Sequence, residues 1–136
     1  MQANLFRKSA VLIEKNPLSS KLYEDALTAD GFDVYVAKSA MDGLIKIKES
    51  KQDLVLMNAE IGEESFVEKL IIKMKSEQVS NVMPIIGLSV YNIERKKKIA
   101  KILDAFLTKP FSIDKFTEFV RACIEDKING RKCLDN

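Results

Sequence analysis

Five polar side chains that could do chemistry stand where short apolar runs of the chain end. They are Glu14, Lys15, Asn58, Ser89 and Lys109. Together they offer one carboxylate, two ammonium groups, one amide and one hydroxyl. An amide cannot serve as a carboxylate nucleophile or as an anionic metal ligand, so Asn58 limits the chemistry that this set could support.

The apolar runs predict strands that alternate with helices five times. Predicted strands cover 9–14, 32–37, 53–58, 84–88 and 105–108, and the stretch 53–58 reads as a fully buried strand. Such alternation predicts an α/β fold with a parallel sheet and helices on both faces. Because the carboxyl ends of parallel strands share one edge of the sheet, the residues after strands one, three, four and five should lie close together.

Helix starts are marked by capping residues. Asn16 precedes Pro17, Ser39 precedes an acidic residue at the third position, Asn92 precedes the fourth predicted helix and Ser112 precedes the last. On the first helix, Leu18, Leu22 and Ala26 recur at four-residue spacing, with Tyr23 and Leu27 alongside, and predict the apolar face. Further apolar positions on later helices predict their core faces: Leu44, Ile45, Ile47, Phe66, Val67, Leu70, Ile71, Met74, Ile113, Phe116, Phe119, Val120, Cys123 and Ile124.

Composition favours one soluble globular domain. The chain has 136 residues, 46% of them apolar and 31% charged, with a net charge of +2 that argues against nucleic-acid or membrane binding. Histidine is absent, which removes the commonest general base and metal ligand. We expect a lead-in over 1–8, a domain over 9–125 and a frayed polar tail over 126–136. Cys123 should lie in the core and Cys133 should be a free thiol, so a reducing cytoplasmic setting is expected.

The segment 9–125 resembles a response-regulator receiver domain, a doubly wound five-stranded parallel sheet of the flavodoxin or CheY-like (βα)5 type. Four stretches carry the resemblance: 11–18, 53–57, 84–91 and 106–111. In this family an acidic pair after strand one holds Mg²⁺, and an aspartate ending strand three takes a phosphoryl group from a histidine kinase. A Ser or Thr after strand four and a Lys before Pro after strand five contact the phosphoryl group.

The resemblance implies a degenerate pocket. Ser89 and Lys109 match the phosphoryl-contact positions and Glu14 fills the first acidic position, but Lys15 stands at the second and Asn58 at the phosphoacceptor position. Mg²⁺ binding is therefore predicted to be lost, with no cofactor and no enzymatic activity. Lys15 either pairs with Glu14, with Glu60 as a second anionic partner, or is a solvated surface residue. Lys109 is expected to bridge Glu14 and strand-end carbonyls.

A pseudo-receiver of this kind would act in two-component phosphorelay signalling through protein contacts. Expected partners are a histidine kinase, a phosphotransferase or another regulator, and a homodimer is left open. Tyr91 and Phe106 match the family's switch and partner face, with Ile93 and Ile99 beside them, although Phe106 could equally be a packing residue.

The sequence leaves three other functions open. A different residue, Ser65 or Asp53, could accept phosphate. The basic run 95–98 could bind the phosphate backbone of nucleic acid, although a solvated helix face is its usual meaning. A hydrolase is least supported, since no nucleophile and base stand together.

Overall fold

The computed structural model describes residues 7–77, 82–91 and 97–133. Within these ranges five strands alternate with five helices. The strands are β1 (Lys8–Ile13), β2 (Phe32–Ala37), β3 (Leu54–Asn58), β4 (Ile85–Ser89) and β5 (Ala105–Thr108). The helices are α1 (Pro17–Ala29), α2 (Ala40–Glu49), α3 (Glu64–Glu77), α4 (Lys97–Ile102) and α5 (Ile113–Ile128). None of these helices is long and apolar enough to cross a membrane.

The strands form one parallel sheet in the order β2-β1-β3-β4-β5. All four strand pairs run parallel, and β3 lies at the centre between β1 and β4. Four of the five β3 residues are buried, and the exception is Asn58 at its end. The predicted doubly wound sheet with helices on both faces is therefore confirmed.

Two apolar clusters cover the two faces of the sheet. One joins β-strand side chains to α2, α3 and α4 through residues such as Ile47, Ile71 and Ile99. The other joins the sheet to α1 and α5, with Phe116 completely buried beside Tyr23. Three helices thus cover one face of the sheet and two helices cover the other. The polar groups lie at a different place, the edge formed by the carboxyl ends of the strands.

Three of the predicted helix caps are confirmed. The Asn16 side chain accepts hydrogen bonds from the backbone N–H groups of Leu18 and Ser19, both at 3.0 Å. Ser39 Oγ accepts from the N–H of Asp42 at 3.1 Å. Ser112 Oγ accepts from the N–H of Lys115 at 3.0 Å. Each cap satisfies amide groups that the first helical turn leaves unpaired. The predicted cap Asn92 lies outside the described residues.

The predicted apolar face of α1 is confirmed at Tyr23 and Leu27 and was wrong at Leu18 and Leu22. Leu18 is 84% exposed and Leu22 is 50% exposed, whereas the buried positions are Ser20, Tyr23 and Leu27. Residues spaced by three and four positions lie on one face of a helix. On α1 the buried face is the one with Tyr23 and Leu27, because these side chains pack against α5 and the sheet. Three other predicted core residues, Ile45, Phe66 and Ile113, are also exposed.

The segment 126–133 differs from the predicted frayed tail with a free thiol. Helix α5 continues to Ile128, and Cys133 is buried at 5% exposure. Cys133 is paired with Cys123 of α5 as a disulfide, with 4.9 Å between the two Cα atoms. The pairing fixes the segment after α5 against the α5 side of the sheet, and it removes the support that unpaired cysteines gave to a reducing compartment.

Candidate functional site

The site lies where the chain switches direction across the sheet. From β1 the order continues to β2 on one side and to β3 on the other, which opens a crevice at the carboxyl ends of β1 and β3. Ile13 and Met57 are partners in the register, so the next residues along each strand, Glu14 and Asn58, are neighbours. The predicted meeting of these two side chains is confirmed.

Glu14 is a buried carboxylate with two hydrogen-bond donors. It is 2% exposed. Its Oε2 accepts from Asn58 Nδ2 at 3.1 Å and from the backbone N–H of Asn16 at 3.2 Å. A buried charge is costly unless such donors replace water. The amide of Asn58 is therefore one of the groups that stabilise Glu14 inside the fold.

The other end of the Asn58 amide fixes the loop after β3. Its Oδ1 accepts from the backbone N–H of Glu60 at 2.9 Å, which is the usual way in which Asn stabilises a turn. The Asn58 carbonyl also accepts from Ile61 N–H at 3.1 Å. The Asn58 side chain thus donates from its nitrogen to Glu14 and accepts at its oxygen from the loop, so it stabilises the turn after β3.

The loop that Asn58 fixes carries the carboxylate of Glu60 to β4. Glu60 Oε2 accepts the hydroxyl hydrogen bond of Ser89 at 2.5 Å, and Oε1 accepts from Val90 N–H at 3.3 Å. Ser89 is completely buried, and its Oγ accepts in turn from Tyr91 N–H at 3.0 Å. A continuous hydrogen-bonded network therefore runs from the end of β1, through Asn58 and the loop, to the end of β4.

Sequence reasoning did not find this role of Glu60. It placed Glu60 only as a second anion near Lys15. The available signal was the spacing: Glu60 stands two residues after the strand-ending Asn58, in a tight loop directed toward the next strand. A turn stabilised by Asn58 determines where the Glu60 side chain can reach.

Neither lysine takes its predicted partner. Lys15 is exposed, and no ion pair within 4.0 Å joins it to Glu14 or any other described acidic group. The predicted Lys15–Glu14 pair was therefore wrong, and its solvated alternative fits. Lys109 does not bridge to Glu14 either; its Nζ lies 5.4 Å from the centre of the Tyr23 ring. Contact between an ammonium and an aromatic face is a weak attraction at a partly exposed site.

The oxygen atoms that could act as metal ligands at this site are a poor match for Mg²⁺. In the described ranges no three Asp, Glu, Cys or His side chains gather as they would to hold a metal ion. Asn58 directs N–H donors at Glu14, while Glu60 accepts from Ser89 and Val90. Mg²⁺ requires an octahedral set of hard oxygen ligands, so it would have to displace these donors. Loss of the magnesium site stays a prediction that titration can test.

The predicted switch and partner residues occupy different environments. Tyr91 is 61% exposed, whereas Phe106 is 6% exposed and packs in the same cluster as Ile99. Ile93 lies outside the described residues. The packing role of Phe106 is thus present in the fold, and the partner roles of Tyr91 and Phe106 stay predictions.

The residues named for the alternative functions lie away from the network. Ser65 is exposed in the first turn of α3. Asp53 precedes β3 at the opposite edge of the sheet, where its side chain accepts from Ser9 N–H at 2.8 Å. Of the basic run 95–98, residues 95 and 96 lie outside the described ranges, and Lys97 and Lys98 are exposed at the start of α4.

Comparison with known proteins places this geometry in context. The family model of the response regulator receiver domain matches residues 10–121. The polar-differentiation response regulator DivK of Brucella ovis is 25% identical over 122 residues, which cover 88% of this chain and 98% of the relative.

Two solved structures share the fold at low sequence identity. A receiver domain from Methanospirillum hungatei has a TM-score of 0.79 at 18% identity, covering 91% of this chain and 98% of the other. The receiver domain of the sensor histidine kinase PA1611 from Pseudomonas aeruginosa, with a magnesium ion in its active site cleft, has a TM-score of 0.71 at 18% identity. It covers 88% of this chain and 98% of the other.

Proposed function

The chain belongs to the response regulator receiver domain family, and we propose that it is a degenerate receiver that signals through protein contacts without accepting a phosphoryl group. Receivers of this family work in two-component signalling. The proposal concerns how this member does so, and it rests on the Glu60 carboxylate as the hydrogen-bond acceptor of Ser89.

Glu60 takes the contact that the family resemblance gives to a phosphoryl oxygen. A phosphorylated receiver would direct a phosphoryl oxygen at the hydroxyl after strand four. Here a carboxylate from the chain itself accepts from the Ser89 hydroxyl and from Val90 N–H. Both groups are anions that accept charge-assisted hydrogen bonds, although a carboxylate carries about one negative charge and a phosphoryl group about two.

The acceptor position supports the same proposal. Asn58 is an amide, and its nitrogen donates to Glu14 where a receiver with a metal would hold a cation between carboxylates. A neutral donor lets the buried Glu14 charge persist without a metal ion. Asn58 and Glu60 therefore act together. Asn58 removes the phosphoryl acceptor, and the Glu60 carboxylate accepts the hydrogen bond of Ser89 that a phosphoryl group would otherwise accept.

The conformation of the domain at this site would then be set by its own residues and not by phosphorylation. Ser89 is held by Glu60, Tyr91 N–H is held by Ser89, and Phe106 is buried. Signalling would then depend on the presence of the protein and its partner, such as a histidine kinase, a phosphotransferase or another regulator. The exposed Tyr91 ring next to this network is the contact residue that we propose for that partner.

Intact mass after incubation with a small phosphodonor and Mg²⁺ tests the proposal. We expect the unmodified mass, whereas a stoichiometric gain of one phosphoryl group would overturn it. Peptide mapping separates the second candidate function, because a phosphoryl group on the exposed Ser65 would identify a receiver with a different acceptor. Asp53 is a weaker candidate because it lies at the opposite edge of the sheet and bonds Ser9.

A further inference from the structure

A cleft at the opposite end of the sheet carries a concentration of positive charge. It has a volume of about 600 Å³ and is lined by five cationic side chains against the single carboxylate of Asp104, a formal charge of +4. The cations are Lys75, Lys101, Lys127, Arg131 and Lys132. The whole chain has a net charge of only +2, so this cleft is far more positive than the rest of the molecule.

Three of these cations lack a carboxylate partner among the described residues. No carboxylate lies within ion-pair distance of Lys75, Lys101 or Lys132 anywhere in the part of the chain that the structure describes. The other two are fixed by ion pairs: Lys127 Nζ lies 2.6 Å from Asp104, and Arg131 Nε lies 3.1 Å from Asp126. Within the described residues, the cleft therefore combines cations held by ion pairs with cations that no carboxylate pairs.

The ordinary explanation for basic residues here accounts for part of the set. Lys75, Lys101 and Lys127 stand in the last turns of α3, α4 and α5, where cations stabilise the negative ends of helix dipoles. That effect needs one cation per helix. It gives no reason for Arg131 and Lys132, which follow the end of α5.

The disulfide places these two additional cations at the cleft. Cys133 is buried and bonded to Cys123 of α5, so the segment 129–133 turns back toward α5 after Ile128. Arg131 and Lys132 stand directly before Cys133 and line the same cleft as the helix-end lysines. Bringing like charges together is unfavourable in the absence of a counter-ion, which makes an anionic ligand the simplest reason for the arrangement.

We propose that this cleft binds a compact polyanion built of linked phosphates, such as inorganic polyphosphate or the triphosphate of a nucleotide. Several ammonium groups approaching from different elements suit a ligand with several charges at short spacing. The lining contains no aromatic residue, and its apolar members are Val82, Leu103, Ile128 and Cys133. Without an aromatic surface for stacking, the cleft would recognise the phosphates and not a base.

Isothermal titration of the oxidised full-length protein with tripolyphosphate, ATP and monophosphate tests the proposal. We expect tripolyphosphate and ATP to bind with similar affinity and monophosphate to bind much more weakly. Raising the salt from roughly 20 mM to roughly 200 mM should weaken binding, because exposed charges are screened over that range. Undetectable binding of tripolyphosphate at low salt would overturn the proposal, and so would ATP binding far more tightly than tripolyphosphate.

Paired substitutions locate the site. The variant Lys101→Gln with Lys132→Gln should lose about tenfold or more in tripolyphosphate affinity. The matched control, Lys38→Gln with Lys115→Gln, removes the same charge from exposed positions outside the cleft and should keep nearly the wild-type affinity. Equal losses in both variants would show a general charge effect and would contradict the cleft. Preferential binding of duplex DNA over tripolyphosphate would also contradict it, in favour of an extended nucleic-acid surface.

Discussion

The hydroxyl of Ser89 donates a 2.5 Å hydrogen bond to the carboxylate of Glu60. The two residues belong to different strand ends, and the turn that Asn58 stabilises brings Glu60 within reach. The chain itself therefore supplies the anion that accepts the hydrogen bond of the buried Ser89 hydroxyl, at the position where we propose that a phosphoryl group would otherwise bind.

Removing the charge of Glu60 should destabilise the fold. The variant Glu60→Gln keeps the shape of the side chain but replaces charge-assisted hydrogen bonds to Ser89 and Val90 with weaker neutral ones. We expect a loss of about 1–2 kcal/mol in the free energy of unfolding, measured by urea denaturation. Glu63→Gln is the matched control, since Glu63 is exposed in the same loop, and it should change stability by less than about 0.5 kcal/mol. Equal effects would contradict the network.

Restoring a carboxylate at position 58 alone should also destabilise the protein. In Asn58→Asp, the donor that lies 3.1 Å from Glu14 Oε2 becomes a second anion beside a buried one. The lost hydrogen bond and the repulsion should cost about 1–3 kcal/mol at neutral pH, measured by urea denaturation without divalent ions. The same substitution at the exposed Asn129 loses one hydrogen bond to the Glu125 carbonyl and adds an anion at the end of α5, but no buried carboxylate lies beside it, so it serves as the comparison and should cost less. A stabilised Asn58→Asp variant would show that Glu14 does not depend on the amide.

Lys109 should contribute little to stability in the unmodified protein. Its ammonium faces the Tyr23 ring at 5.4 Å and forms no ion pair in the described structure. Lys109→Met should therefore cost no more than about 1 kcal/mol in thermal or urea unfolding. Lys127→Met is the comparison, because it breaks a 2.6 Å pair with the mostly buried Asp104, and it should cost more. The reverse order would mean that Lys109 has a stronger partner than Tyr23.

The disulfide should stabilise the oxidised protein. It closes a loop of 10 residues between Cys123 and Cys133, and the chain-entropy model gives about 2–3 kcal/mol for a loop of that size. Cys133→Ser should lose this contribution, and treating the wild type with a reductant should produce a similar loss. A reductant that also destabilised Cys133→Ser would point to an effect unrelated to the disulfide.

The strands and helix caps could be predicted from the sequence because their signals are local. A buried apolar run predicts a strand by itself, and Asn16, Ser39 and Ser112 bond to amide groups two or three residues away. The meeting of Glu14 and Asn58 followed from the parallel order of the strands.

The remaining features depend on contacts across the fold. Leu18 and Leu22 are apolar but exposed, because α5 and the sheet meet the face of α1 that carries Tyr23 and Leu27. The pairing of Cys133 with Cys123 requires the chain to turn back after α5, and no residue spacing in the sequence predicts that turn. The Glu60–Ser89 bond spans 29 residues and depends on the path of one loop, so the spacing of Glu60 after Asn58 could place Glu60 near the strand ends but could not identify Ser89 as its partner.

Rebuilding the phosphorylation site tests the role of Glu60 most directly. The comparison uses the variant with Lys15→Asp and Asn58→Asp, alone and combined with Glu60→Ala, with the rate of phosphoryl transfer from a small phosphodonor and Mg²⁺ followed by intact mass. Because Glu60 competes for Ser89 and Val90 N–H, we predict that adding Glu60→Ala accelerates phosphorylation by about tenfold, the effect of about 1.4 kcal/mol. Equal or slower phosphorylation of the combined variant, in a folded protein, would contradict the account.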